Sequence, residues 1–129
     1  MAKETKQPDH LLFGRQGEQL AFETLLKQGY IIRERNWRSG HHEIDIVAEK
    51  DSRIIIVEVK ARKEPIEDIS EVIDRKKINF LIAAGNAYLN ACHLDFELQF
   101  DVILLYGSQD ALMVEHIPDA FMAPLRTYR

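Results

Sequence analysis

The sequence predicts an α/β domain, a mixed β-sheet flanked by helices in the order α-β-β-β-α-β-β, and three observations carry that reading. A helical apolar stripe between Leu12 and Gln28 is followed by three short runs rich in Ile, Val and aromatic residues. A second helical stripe ends near Ala91, and two alternating runs close the chain. At 129 residues one core is expected, with a loose segment over residues 1–10 and a single domain over 11–129.

The first helix brings Leu20, Ala21, Phe22, Leu25 and Leu26 to one side, and Gly29 stands in the stop position. At roughly 100° per residue, Glu18 projects between Leu25 and Phe22, inside the apolar arc. A carboxylate there is costly unless partnered, so it sits at the edge of the arc, pairs with a buried arginine or has a task. Tyr30 to Trp37, Glu43 to Glu49 and Arg53 to Ala61 read as a three-stranded meander. The third run, Ile54-Ile55-Ile56-Val57-Glu58-Val59-Lys60, is apolar until its last residues, which suits a central strand covered on both faces.

The second helix starts at Ile69 or Arg75, with Ile78, Leu81, Ile82, Gly85 and Leu89 on one stripe and Gly85 marking a close approach. Phe96 to Tyr106 and Ala111 to Ile117 alternate as strands, and Pro118 is expected to end the last one. The strand after the second helix is placed parallel to an earlier one through a crossover.

No apolar run approaches the ~20 residues of a membrane-spanning helix, and the start MAKETKQPDH lacks the apolar core of a secretion signal. A cytoplasmic protein without membrane association is expected. The single Cys92 has no internal partner and suits a small buried residue. A net charge of -4 and a pI near 5.7 argue against coating nucleic acid by bulk electrostatics. Contacts to phosphate would be local: Arg33, Arg35 and Arg38 beside His41 and His42, then Arg62 with Lys63, then Arg75, Lys76 and Lys77. The alternative is that these are solvated faces, diluted by Glu64, Glu67, Asp68, Glu71 and Asp74.

The chemistry is concentrated in the second hairpin. With Asp51-Ser52 as its turn, Lys50 lies opposite Arg53, Ala48 opposite Ile55, Asp45 opposite Glu58 and Glu43 opposite Lys60. Directly opposed side chains have Cβ atoms about 4.5–5.5 Å apart, and two like charges so placed are destabilising unless neutralised. A divalent cation neutralises them: Mg²⁺ or Mn²⁺ takes hard oxygen ligands, one or two carboxylates plus waters and substrate phosphates. Asp45 and Glu58 are the candidate ligands, and Lys60 would contact a phosphate oxygen or hold the attacking water. The competing reading is a pair of exposed ion pairs in a register slipped by one residue, which would turn Glu58 away from Asp45.

Gly14-x-x-Gly17-Glu18-x-x-Ala21, Gly29-Tyr30, Arg35-Asn36-Trp37-Arg38, Glu43-Ile44-Asp45-Ile46-Val47-Ala48, Val57-Glu58-Val59-Lys60-Ala61-Arg62 and Phe100-Asp101-Val102 form an ordered set of motifs. Together, over about Leu12 to Tyr106, they resemble the bacterial YraN family of endonucleases, which is similar to archaeal Holliday junction resolvases and grouped with the PD-(D/E)xK nuclease superfamily. The resemblance implies a restriction-endonuclease-like fold and hydrolysis of DNA phosphodiesters, at branched or single-stranded sites, with Mg²⁺ or Mn²⁺. It implies that Glu18 joins Asp45, Glu58 and Lys60 in the catalytic set and serves with the two acids toward the metal. It also suggests that Lys76 faces the substrate, while Arg35, Arg38 and Arg62 of the basic clusters are the other candidate nucleic-acid contacts, and similarity to resolvases implies a homodimer. Ile44 stands where the superfamily has proline, His42 where glycine is common, and Gln99 where arginine is frequent, which touches substrate contacts rather than the three central residues.

His41 and His42 point to opposite faces if both lie in a strand, so joint ligation of one ion is disfavoured and a loop or phosphate-contacting role preferred. Trp37 reads as a packing aromatic, and the role of Asp101 stays open. Two other functions compete with the nuclease: a non-catalytic nucleic-acid-binding module, and an interaction domain in which the acids are a relic.

Overall fold

The computed structural model describes residues 8–108 and 110–122. Helix α1 spans Pro8–Lys27, and strands β1 (Ile31–Ser39), β2 (His42–Lys50) and β3 (Arg53–Arg62) follow. A 3-10 turn at Ile69–Glu71 leads into α2 (Arg75–Cys92), and β4 (Glu97–Ser108) and β5 (Ala111–Phe121) complete the order. The architecture is α/β, as expected. The loose segment expected over residues 1–10 falls mostly outside the described residues, and the helix is described from Pro8.

The five strands form one open sheet in the order β1-β2-β3-β4-β5. Neighbours are antiparallel except β3 and β4, which run parallel and are joined through α2. Alternate residues of β3 build two separate cores. Ile55, Val57 and Ala61 pack with Ala21 and Leu25 of α1, while Ile54 and Ile56 pack with Leu81, Ala84 and Tyr88 of α2. Burial on both faces explains the unbroken apolar run of this strand. A third cluster ties Val72 and Ile73, just before α2, to Val102 and Leu104 of β4.

Two glycines permit the close approach of the helices to the sheet. A Cβ on Gly17 would lie 2.9 Å from both Leu105 Cδ1 and Phe13 Cβ, and one on Gly85 would lie 3.2 Å from Ile56 Cγ1 and Leu98 Cδ1. Gly85 thus fits the close packing read from the sequence.

Two sequence expectations are corrected. Pro118 does not end the last strand: β5 continues to Phe121, because the register shifts between Val102↔Ile117 and Phe100↔Phe121 and leaves Pro118 in an irregularity where no ladder N–H is needed. The buried stripe of α2 keeps Leu81 and Gly85 of the expected one and adds Ala84 and Tyr88, while Ile78, Ile82 and Leu89 pack half-buried at its margins. Tyr88 can be buried because its hydroxyl meets the Arg33 Nε donor at 2.9 Å.

Candidate active site

The second hairpin keeps the register expected from its turn, with Lys50↔Arg53 and Ala48↔Ile55, as far as Ile46↔Val57. There the ladder stops, so the backbone pairings Asp45↔Glu58 and Glu43↔Lys60 do not form. In their place the Val59 N–H donates to Asp45 Oδ2 at 2.8 Å. A side chain occupies the position of a backbone acceptor. The same irregularity breaks the alternation of β2, since Ile46 and Ala48 pack on the α1 side while both Ile44 and Val47 pack on the α2 side.

Glu58 follows Ile54 and Ile56 on the α2 face, and only 6% of its surface is exposed. Lys60 Nζ lies 3.6 Å from Glu58 Oε2 and Lys77 Nζ, from the first turn of α2, lies 3.4 Å from it. The Asp74 side chain caps this helix by accepting the Lys77 N–H at 2.8 Å. Burial first, and the charge of Asp45 second, raise the Glu58 carboxyl to about 7 against the pull of Lys77 and Lys60. Burial raises Asp45 as well, opposed by the Val59 N–H, Lys77 and Lys60. Asp45 and Glu58 are therefore electrostatic neighbours without being cross-strand partners.

Glu18 is exposed, not enclosed in the apolar arc of α1 as the helical projection implied. The tight seats of Gly17 and Ala21 against the sheet turn it outward, to a cleft that it lines with Asp45, Arg35 and Asn36. Among the described residues, no three His, Cys, Asp or Glu side chains come together as a metal-binding group. Asp45 and Glu58 are the two that could hold a cation; their oxygen donors suit Mg²⁺ or Mn²⁺, which needs only one or two carboxylates beside water and phosphate. Glu18 belongs to the same cleft as Asp45.

Of the four basic residues expected to meet nucleic acid, Arg35 and Lys76 line separate clefts, and Arg38 and Arg62 lie outside both. Arg35 lines the Glu18 cleft with its guanidinium 4.4 Å from the Phe22 ring centre. Lys76 is exposed on the α2 side, in a cleft shared with Lys60 and Lys77. Arg38 pairs with Glu43 at 3.6 Å on the exposed surface between β1 and β2. Arg62 donates through Nη1 to the Ala61 carbonyl at 2.7 Å. Lys77, one position beyond the lysine singled out from the sequence, is the one that touches Glu58. Its signal was present: Lys77 stands four residues before Leu81, on the stripe that continues through Ala84 and Tyr88.

His41 is exposed, and His42 is half-buried with its ring centre 6.2 Å from that of Phe80. Trp37 packs edge-on to Tyr88 with ring centres 5.2 Å apart, as a core aromatic. Cys92 is half-buried beside the same cluster. Asp101 has a defined place: its carboxylate accepts from Tyr30 Oη at 2.6 Å, Gln99 Nε2 at 2.9 Å and the Asp119 N–H at 2.9 Å, and contacts His116 Nε2 at 2.8 Å.

Fold and site define an α/β domain whose central strand ends in a buried acid and a lysine, with a second acid bonded across from the neighbouring strand. The family model described as "Uncharacterised protein family UPF0102" matches residues 17–105. A UPF0102 protein of Bacteroides thetaiotaomicron is 39% identical over 118 residues, covering 91% of this chain and 98% of that one. One of Phocaeicola vulgatus is 40% identical over the same shares, and one of Flavobacterium johnsoniae is 38% identical over 88% of this chain and 96% of its own. The chain belongs to UPF0102, the YraN family. Among the described residues no helix is long and apolar enough to cross a membrane.

Proposed function

We propose that this protein is a metal-dependent endonuclease that hydrolyses DNA phosphodiester bonds, at branched or single-stranded sites. The observation that carries the reading is the buried Glu58, with Lys60 and Lys77 against it, beside the half-buried Asp45. Two acids whose protonation is favoured by burial, held beside two lysines, form a costly arrangement that a structural role alone does not require.

In this reading Asp45 and Glu58 hold Mg²⁺ or Mn²⁺, which when bound supplies Lewis-acid polarisation of the phosphoryl group. The Val59 N–H fixes the Asp45 carboxylate, so its orientation precedes binding. Lys60, on the same face of β3 as Glu58, positions the attacking water or balances charge on the phosphoryl oxygens. Glu18 adds a negative group from α1 at the cleft that Asp45 shares. Arg35, Arg38, Arg62 and Lys76 would hold the flanking phosphates, and the likeness to resolvases adds a homodimer that cuts two strands.

The second reading is a nucleic-acid-binding module without catalysis, favoured by the exposed position of Glu18 away from a three-acid cluster. Labelled duplex, single-stranded and branched DNA incubated with Mg²⁺, Mn²⁺ or chelator separates the two. Cleavage with metal alone is expected. Cutting that persists in chelator removes the metal mechanism, and binding without cutting under any condition leaves the second reading.

A further inference from the structure

Of the six phenylalanines, Phe13, Phe96, Phe100 and Phe121 pack into apolar clusters and Phe22 lies under the Arg35 guanidinium, 4.4 Å from its ring centre, whereas Phe80 packs into none of the clusters formed by the described residues. It is only half-buried, although it stands on α2 directly before the fully enclosed Leu81. Its ring lines the cleft that also takes in Lys60, Lys76 and Lys77, with the acids Glu71 and Asp74 on its wall, where the Asp74 carboxylate is engaged as the cap of α2. Lys77 Nζ is 5.2 Å from the ring centre, and the His42 ring leans beside it at 45°. His42 Nδ1 is itself buried and, among the described residues, lacks a hydrogen-bond partner. An aromatic face kept out of the core, bordered by ammonium groups and adjoining the acid pair, matches the recognition of single strands, in which cations follow the phosphates and aromatic rings stack on bases.

We propose that Phe80 is a stacking platform for an unpaired base of a nucleic-acid strand whose neighbouring phosphate is held by Lys60, Lys76 and Lys77. The proposal rests on the nucleic-acid reading above and deepens it. A base inside a continuous duplex is already covered on both faces by its neighbours and has no face to offer the ring. An unpaired nucleotide does. The cleft is an open groove of about 560 Å³, within the usual size of a ligand site.

Fluorescence anisotropy with labelled oligothymidylate and with a fully paired hairpin duplex, both in EDTA, tests this independently of cleavage. Phe80→Ala and Phe80→Leu should each weaken oligothymidylate binding by about tenfold, while Phe80→Trp, which restores a larger π face, stays within about twofold of the parent. Duplex binding should be unchanged in all three, and thermal melting should confirm that each is folded. Parental affinity of both Phe80→Ala and Phe80→Leu for oligothymidylate overturns the proposal, and so does an equal loss on both probes. A parent that binds neither probe overturns the nucleic-acid reading itself, and the platform with it.

Discussion

Asp45 on β2 accepts the backbone N–H of Val59 on β3 at 2.8 Å, beyond the last regular ladder pair at Ile46↔Val57. One bond thus does two things. It satisfies a β3 donor where the strands cease to pair, and it holds a half-buried carboxylate near Glu58. The acid is therefore both a structural acceptor and the candidate metal ligand.

Substitution can separate those two roles. Asp45→Asn keeps an oxygen acceptor for Val59 and removes the charge, whereas Asp45→Ala removes both. Urea unfolding should find the alanine variant less stable than the asparagine variant by about 1–2 kcal/mol, the scale of an unsatisfied buried donor. Both should lose Mn²⁺ affinity. Equal stabilities would mean that the Val59 bond contributes nothing.

Much of this arrangement could be read before any coordinates. Turn chemistry at Asp51-Ser52 sets the hairpin register, and two-faced burial of Ile54 to Val57 makes β3 central, so fold class and the pairing of Ala48 with Ile55 follow from residue pattern. The end of the ladder does not follow, because a side-chain to backbone bond interrupts the two-residue period on which such counting depends. Glu18 was misplaced for a related reason: helical projection fixes an angle but not which part of the arc the sheet covers, and close packing at Gly17 decided that. Of the basic cluster Arg75, Lys76 and Lys77, the family resemblance points to Lys76, whereas the enclosure of Ala84 and Tyr88 beside Leu81 and Gly85 turns Lys77 toward Glu58.

The two adjacent lysines of α2 should behave differently. Lys76 is exposed at the cleft wall, so Lys76→Ala should weaken binding of all DNA sequences alike and reduce the slope of log affinity against log salt by about 1. Lys77→Ala also removes a charge 3.4 Å from Glu58, and should reduce cleavage at saturating DNA as well. Filter binding across a salt series, set beside single-turnover cleavage, checks this. Identical effects of the two changes would deny Lys77 a role at the acid pair.

The Asp101 hub, on the opposite face from Glu58, makes a prediction about acid stability. Burial alone would raise this carboxyl, but the hydrogen bonds from His116, Tyr30, the Asp119 N–H and Gln99 prevail and hold it below the ordinary aspartate range. A depressed folded-state value means that the contribution is fully present above the unfolded value of about 3.9 and is lost as pH falls through the lower folded value. Urea midpoints should therefore drop as pH falls below about 4, and Asp101→Asn should flatten that limb while costing about 1–3 kcal/mol at pH 7. An acid limb of undiminished steepness in Asp101→Asn would assign the loss to other carboxylates.

The sharpest prediction separates Lys60 from the acids that surround it. An ammonium group cannot ligate a cation but can position water or balance charge in the transition state. Asp45→Ala and Glu58→Ala should lose metal affinity and cleavage together, because each removes a candidate oxygen donor. Lys60→Ala takes away a positive charge 3.6 Å from Glu58, so Mn²⁺ binding should be kept or strengthened. Its cleavage should nevertheless fall by about 10²-fold or more, the scale of deleting one electrostatic stabiliser. Calorimetric titration with Mn²⁺ beside a cleavage assay on the same three variants reads both quantities. If Lys60→Ala cleaves like the parent while the acid variants are dead, the lysine only balances the charge of Glu58, and the water-positioning role proposed for it is wrong.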